Sequence, residues 1–155
     1  MIFRTHILFS FFISLFLVDI LKLKNPVLFI IILCLFGILP DVDYYKSKIG
    51  RKTKVLSYAI NFIFGHRGIF HSVFVPLLFY LFFLLINQKI LGLAVLLGYI
   101  SHLFLDSFTI AGIKPLYPFY NKKIKGFIKT GSFIETIFFF IILIFCVFLL
   151  VLVLS

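Results

Sequence analysis

Histidine and aspartate residues in this sequence occur in short groups whose spacing could bind a metal ion. The segment "HLFLD" places His102 and Asp106 four residues apart, so on a helix both side chains lie on one face and can reach one ion or each other. "PDVD" places Asp41 and Asp43 after a proline, which favours a turn or an extended path in which both carboxylates can bind a cation. A simple His–Asp hydrogen bond and a solvated turn are the alternative roles of these two groups.

The segment "GHRGIFHS" adds two histidines and an arginine. His66 and His71 are five residues apart, which on a continuous helix would turn them about 140° away from each other. Gly68 permits a break, so we expect His66 in the entering turn and His71 on the first turn of the next helix. Arg67 suits an anionic phosphate, because a guanidinium pairs with two phosphate oxygens. The alternative is a pair of histidines at the membrane interface.

Two further ionisable residues lie at the start of apolar runs. His6 taken alone is typical of an interfacial histidine, but we include it among the candidate metal ligands. Glu135 begins the last apolar run, where an acidic residue is favoured by the helix dipole. It is also a candidate base, or a partner that orients a metal ligand. Asp19 lies near Lys22 and Lys24 and is expected to be their solvated partner.

Mixed imidazole and carboxylate ligands suit Zn²⁺, with Mn²⁺ or Fe²⁺ as alternatives. We expect one or two ions. The candidate metal ligands are His6, Asp41, Asp43, His66, His71, His102 and Asp106, and the candidate catalytic residues are Arg67 and Glu135. A bound divalent ion can lower the pKa of water and polarise a phosphoryl oxygen. No GxSxG or HExxH motif occurs, so a serine hydrolase and a zincin protease are not expected.

The composition requires that a membrane positions these residues. The chain has 155 residues, of which 63% are hydrophobic and 24 are Phe, and its mean hydropathy is +1.24. A soluble domain of this size could not cover its surface with so few polar residues. We therefore predict an all-α integral membrane protein, a compact bundle of about five transmembrane or re-entrant helices with a short interfacial helix. Residues 1–155 are expected to form a single domain, without a cleavable signal peptide.

Five apolar runs are candidate spans. They cover residues 7–21, 27–39, 69–86, 90–108 and 133–154. The last three meet the length of about 20 residues that a spanning helix needs. The second would reach only about 20 Å, so it either spans a locally thinned bilayer or is re-entrant. Residues 55–64 are apolar but shorter, and we predict that they form the interfacial helix.

The basic residues predict the orientation. With five spans, twelve of the fifteen lysines and arginines lie on the side of the N-terminus, and Lys22, Lys24 and Lys89 lie on the other. The positive-inside rule then makes the N-terminus and both long loops cytoplasmic. Every histidine and every acid except Asp19 falls on that same side. The net charge of +10 is expected to attract anionic lipid headgroups, whereas nucleic acid is not expected, because no soluble basic domain is present.

These motifs together resemble the YdjM-like family of membrane-bound, metal-dependent hydrolases. The resemblance rests on the early His6 and on "LPDVDYY", "GHRGIFHS", "GYISHLFLDSFTIAGIKPLYPF" and "KTGSFIE", and it covers essentially the whole chain. It implies a bacterial or archaeal inner-membrane protein with hydrolase activity. The order His, Asp, His, HxxxD is also similar to zinc-dependent phospholipase C and P1-type nucleases. Those enzymes carry a further HxxxE pair, for which this sequence has no histidine left, so a third metal is not expected.

The expected function is hydrolysis of a phosphoester in a lipid or lipid-linked substrate at the cytoplasmic face. One alternative is a metal-free lipid phosphatase of the PAP2 type, which "SHLFLD" resembles; the KxxxxxxRP and PSGH segments of that class are absent from the sequence. Another is a metal-handling or transport protein without hydrolysis. Such a protein would carry polar residues through the midplane of the membrane, and the first, second and fifth runs have almost none.

Overall fold

The computed structural model describes residues 1–43 and 68–154, which form five α-helices. The helices are α1 (Phe3–Leu21), α2 (Pro26–Phe36), α3 (Phe74–Leu85), α4 (Lys89–Ser107) and α5 (Phe133–Leu154). Short 3₁₀ turns at Leu39–Asp43 and Ile69–His71 follow α2 and precede α3. Within the described residues the only strand-like pairings are isolated bridges. The predicted all-α fold class is therefore confirmed.

Three of the helices have the length and composition to cross a membrane. They are Phe3–Leu21, Lys89–Ser107 and Phe133–Leu152. The other two, α2 and α3, are apolar but have only 11 and 12 residues. At 1.5 Å per residue they are about 16–18 Å long, against a hydrocarbon core of about 30 Å. The chain is a membrane protein in which long and short apolar helices are combined.

The predicted third span, residues 69–86, is wrong at its start. Ser72 has extended backbone angles (φ −106°, ψ 158°), so the turn at Ile69–His71 cannot continue into α3. The Ser72 hydroxyl donates to the carbonyl of Ile69 at 2.7 Å instead. The break leaves a shorter helix that begins at Phe74 and places His71 in a separate turn.

The second predicted span also ends early, at Phe36, and the chain turns at Leu39–Asp43. The interfacial helix predicted at 55–64 lies outside the described residues.

Helix α4 lies at the centre of the bundle. It packs against α1, α2 and α3, whereas α5 packs against α1 at the edge. In agreement, 56% of the spanning window of α4 is buried, against 17% for α5. Helices in a membrane associate through close packing of small residues rather than through the hydrophobic effect. Gly98 of α4 is such a residue, because a Cβ there would lie 2.3 Å from the carbonyl oxygen of Leu33 in α2.

The loop between α4 and α5 is folded back on itself. Backbone hydrogen bonds of 2.8 and 2.9 Å join Ile113 and Ile124, and Ile110 donates to Ile128 at 3.0 Å. Ile113 and Ile128 are buried, so the base of the loop packs against the bundle. The amide of Val73 donates to the carbonyl of Pro115 at 2.9 Å. These bonds tie the loop to the end of α4 and to the start of α3.

Candidate metal centre

Helices α1 and α4 contribute three ionisable side chains to the middle of the site. His102 and Asp106 are one helical turn apart on the inner face of α4, and His6 faces them from the first turns of α1. All three are at most 1% exposed. His6 Nε2 lies 3.3 Å from Asp106 Oδ1, and the amino group of Met1 donates to the same oxygen. Buried ionisable groups in a membrane protein are costly, so these three residues form the candidate functional site.

The two 3₁₀ turns add one residue each. Asp41 Oδ1 lies 3.8 Å from His102 Nε2, and His71 Nε2 lies 3.8 Å from Asp106 Oδ2. His71 is fully buried, while the Asp41 side chain is 17% exposed. The starts of α1 and α3 and the ends of α2 and α4 therefore meet at one end of the bundle, as the alternation of spans predicts.

The three imidazole rings pack directly on one another. The rings of His6 and His102 are stacked, with centroids 3.8 Å apart and planes at 11°. The ring of His71 meets that of His102 edge-on, at 5.4 Å and 70°. This packing orients each ring and holds three imidazoles next to two carboxylates.

The polar atoms of the site fit a divalent cation. Distances of 3.8 Å are too long for direct hydrogen bonds, but two ligands of one tetrahedral zinc ion are about 3.4 Å apart. Within the described part of the chain, neither Nδ1 of His6 nor Nε2 of His102 makes a hydrogen bond. Two groups have ligand atoms within 4.8 Å of one another, namely His6, Asp41 and His102, and His71, His102 and Asp106. Buried imidazole nitrogens without partners are costly, and a bound ion would remove that cost.

A backbone contact orients His102. Its Nδ1 lies 2.9 Å from the carbonyl oxygen of Gly37, and because a carbonyl only accepts, Nδ1 carries the proton. Nε2 is then the nitrogen available to an ion, the arrangement that metal-binding histidines adopt. Gly37 can approach because it lacks a side chain, since a Cβ there would lie 1.9 Å from Ser10 Oγ. Ser10 in turn makes a 2.9 Å hydrogen bond to Ser101.

Glu135 is buried beside the first turn of α1. Its Oε1 accepts from the amide of Ile2 at 2.6 Å and from the hydroxyl of Thr5 at 2.9 Å, and its Oε2 accepts from the amide of Gly131 at 2.7 Å. Thr5 immediately precedes His6, so these bonds fix the turn that carries a candidate ligand. The contacts support a positioning role for Glu135, and its catalytic role stays a prediction.

Comparison with known proteins identifies the family to which this chain belongs. A family model described as "YdjM inner membrane protein" matches residues 1–155. The chain belongs to the YdjM family. The resemblance that the sequence motifs suggest is thereby confirmed. No solved structure matches this chain.

Relatives of this YdjM-family chain occur in several bacteria. It is 38% identical over 101 residues to YvsG of Bacillus subtilis (strain 168), an uncharacterized protein; the match covers 64% of this chain and 63% of YvsG. It is 37% identical over 89 residues to the inner membrane protein YdjM of Escherichia coli (strain K12), covering 52% of this chain and 44% of that protein. The inner membrane protein YdjM of Shigella flexneri matches to the same extent. The chain thus spans about half the length of the curated relatives that it matches.

Five of the seven predicted ligands of this YdjM-family chain come together: His6, Asp41, His71, His102 and Asp106. The backbone of Asp43 lies in the turn after α2, but its side chain is outside the described residues. His66 and the candidate phosphate-binding residue Arg67 lie outside them as well. Metal binding by Asp43 and His66 and phosphate binding by Arg67 therefore stay predictions.

Sequence reasoning missed the residues that orient His102. Gly37 follows the apolar run of α2, and a glycine at that place is a general helix-end signal that does not indicate which side chain its carbonyl will meet. Ser10 and Ser14 are four residues apart on α1, a spacing that puts two small polar residues on one helix face. That spacing indicates a face packed against another helix, although it does not identify the partner.

Proposed function

We propose that this protein is a membrane-embedded, metal-dependent hydrolase that cleaves a phosphoester in a lipid or lipid-linked substrate. One observation carries the proposal. Three imidazoles and the carboxylate of Asp106 are buried together at one end of a small membrane bundle, and the partly exposed carboxylate of Asp41 lies beside them, so that four different helix ends contribute. Burying such a cluster in a membrane protein costs free energy, which supports a functional role for it. Its imidazole and carboxylate ligands suit Zn²⁺, Mn²⁺ or Fe²⁺.

The described residues support one ion rather than two. Both ligand groups include His102, whose Nδ1 donates to Gly37. Only Nε2 remains, and one nitrogen lone pair binds one ion. His6, Asp41, His71, His102 and Asp106 would share that ion or exchange places around it.

The division of labour in the site follows from its contacts. A divalent ion, when bound, lowers the pKa of a coordinated water molecule and polarises a phosphoryl oxygen. The chain holds the ligands: the Gly37 carbonyl orients His102, and Glu135 holds the first turn of α1. The surrounding helices shield the imidazoles of His6, His71 and His102 from bulk water, since each of these residues is at most 1% exposed.

Location favours a lipid substrate. The cluster lies at the end of helices that are apolar enough to cross a membrane, so a lipid can diffuse to it within the bilayer. We further propose that this end faces the cytoplasm, because with five spans twelve of the fifteen basic residues are expected on its side of the membrane. Arg67 would bind the phosphate from that side.

Hydrolysis by purified protein in phospholipid vesicles tests the proposal. We expect release of a phosphorylated headgroup or of phosphate, its loss with a chelator, and its recovery with zinc or manganese. His71→Ala should abolish release. Ser107→Ala is a matched control, because its hydroxyl lies one residue beyond Asp106 but bonds to the carbonyl of Phe104 on the exposed face. Release that the chelator or His71→Ala leaves unchanged would contradict the proposal.

A further inference from the structure

The loop between α4 and α5 exposes an unusual mixture of side chains at the end of the bundle that holds the candidate metal centre. We call residues 114–129 the basic–aromatic loop. Its exposed residues include the lysines Lys122, Lys123, Lys125 and Lys129 and the aromatics Phe119, Tyr120 and Phe127. Residues 107–134 contain five lysines and no acidic residue. The loop therefore has a strong positive charge that no acid within it offsets.

Two phenylalanine side chains of the loop are exposed to a degree that would be unfavourable in water. Phe119 is 84% exposed and Phe127 is 72% exposed. Amphipathic surfaces that mix large apolar side chains with lysines are typical of segments lying in the headgroup region of a bilayer. There the rings reach the acyl boundary and the ammonium groups extend toward the phosphates.

Contacts along the basic–aromatic loop, and not only its two ends, attach it to the bundle. The Ile113–Ile124 pairing closes its base. The ring of Phe119 packs edge-on against Phe74 of α3, with centroids 5.2 Å apart. Since Phe74 begins α3 and Thr109 bonds to the carbonyl of Asp106, the loop sits at a fixed position beside the turns that carry His71 and Asp106.

We propose that the basic–aromatic loop binds anionic phospholipid headgroups in the leaflet next to the candidate metal centre. The lysines attract the phosphate charge, and the exposed aromatics confine the contact to a bilayer surface. Apolar helices enter and leave the loop, which favours lipid over nucleic acid as the anionic partner. The proposal stands independently of hydrolysis, because it requires only that the protein is in a membrane.

The sequence contains no Trp, so Phe127→Trp creates a single fluorescent reporter at an exposed position. The protein is placed in lipid vesicles that contain no other protein and consist of one fixed mixture of phosphatidylglycerol and phosphatidylcholine. Bromine, which quenches Trp fluorescence, is carried on the acyl chains of one lipid or of the other. We expect at least about twofold stronger quenching by brominated phosphatidylglycerol, because lysines concentrate anionic lipid around them.

Lysine variants separate this surface from general charge effects. In the reporter background, Lys122→Gln, Lys123→Gln and Lys125→Gln together should make quenching by the two lipids equal. The matched control replaces Lys22, Lys24 and Lys89 with Gln, three lysines at the other ends of α1, α2 and α4, and should keep the preference. Equal quenching by the two lipids in the unmodified reporter would overturn the proposal. So would a Trp emission shift on adding duplex DNA to the protein in vesicles of phosphatidylcholine alone.

Discussion

His102 is the residue on which the candidate metal centre depends most, because both ligand groups include it. Its ring is held both by the stacked imidazole of His6 and by a backbone carbonyl, that of Gly37. A carbonyl can only accept, so the contact selects the tautomer with the proton on Nδ1. The site is thus sensitive to small shifts in the end of α2, where Gly37 lies.

Gly37→Ala should lower the affinity for Zn²⁺ by about 10- to 100-fold, the usual effect of losing a contact that orients a ligand. The added Cβ would lie 1.9 Å from Ser10 Oγ and 2.8 Å from Ser10 Cβ, so the carbonyl must move away from His102. Competition with a fluorescent zinc chelator measures the change.

A second substitution checks that crowding is the cause. Ser10→Gly removes both clashing atoms and should restore affinity in the Gly37→Ala background, whereas Ser10→Ala removes only the nearer one and should restore it in part. The orienting role of Gly37 would be disproved if Gly37→Ala left the zinc affinity unaltered. It would also be disproved if Ser10→Gly restored that affinity no better than Ser10→Ala.

Glu135→Gln should lower the free energy of unfolding by about 1–3 kcal/mol, the cost of leaving a buried donor unsatisfied. An amide group has one accepting oxygen, yet both oxygens of Glu135 accept hydrogen bonds, from Ile2, Thr5 and Gly131. Thermal unfolding in detergent measures the effect. Thr136→Ala is the control, because that hydroxyl bonds to a carbonyl one turn earlier. Lost hydrolysis with unchanged stability and metal content would instead support a catalytic role for Glu135.

At the level of elements, α4 links the packing of the bundle to the geometry of the site. Gly98 permits its approach to α2, and His102 follows one turn later. A displacement of α4 from α2 therefore moves His102 relative to both Gly37 and Asp41.

Gly98→Ala should destabilise the protein by about 1–3 kcal/mol, as expected for overpacking. Its Cβ would lie 2.3 Å from the carbonyl oxygen of Leu33, and a backbone atom cannot rotate away. Ile100→Ala on the same helix is a suitable comparison, because Ile100 is 40% exposed and faces outward. Thermal unfolding of both variants should show a lower midpoint for Gly98→Ala than for Ile100→Ala; equal midpoints would contradict the packing described for α2 and α4.

Apolar runs in the sequence predict the helices well, because a helix in a bilayer must satisfy its own backbone and be apolar along its length. They do not predict where a helix breaks. The start of α3 was missed because "IFHSVF" reads as one apolar run, while Ser72 adopts an extended backbone that hydropathy cannot indicate. Short helices such as α2 and α3 are a consequence of the turns that bring Asp41 and His71 into the site.

At the scale of the whole molecule, the alternation of spans predicts that the histidines and acids gather at one end. That prediction needs only the number of apolar runs, and His6, Asp41, His71, His102 and Asp106 do meet there. Their mutual distances could not be predicted, because they depend on the packing of Gly37 and Gly98 against neighbouring backbone and side-chain atoms. Sequence patterns identified residues that meet at one end of the bundle, and helix packing determines the distances between them.

The proposed cytoplasmic orientation can be tested by labelling single cysteines. Cys34 and Cys146 are first replaced with Ala, and Lys22→Cys or Lys123→Cys is then introduced at opposite ends of the bundle. In intact cells, a membrane-impermeant maleimide should label position 22 directly and position 123 only after the inner membrane is permeabilised, as the positive-inside rule requires. The reverse pattern would place the candidate metal centre on the outer side.

The metal content of gently purified protein tests the central claim most directly. Elemental analysis of the unmodified protein should find one equivalent of zinc, manganese or iron, and both His102→Ala and Asp41→Ala should lose it while Ser107→Ala retains it. If the folded, unmodified protein contains no divalent metal and takes none up on titration, the buried histidines and carboxylates do not form a metal centre.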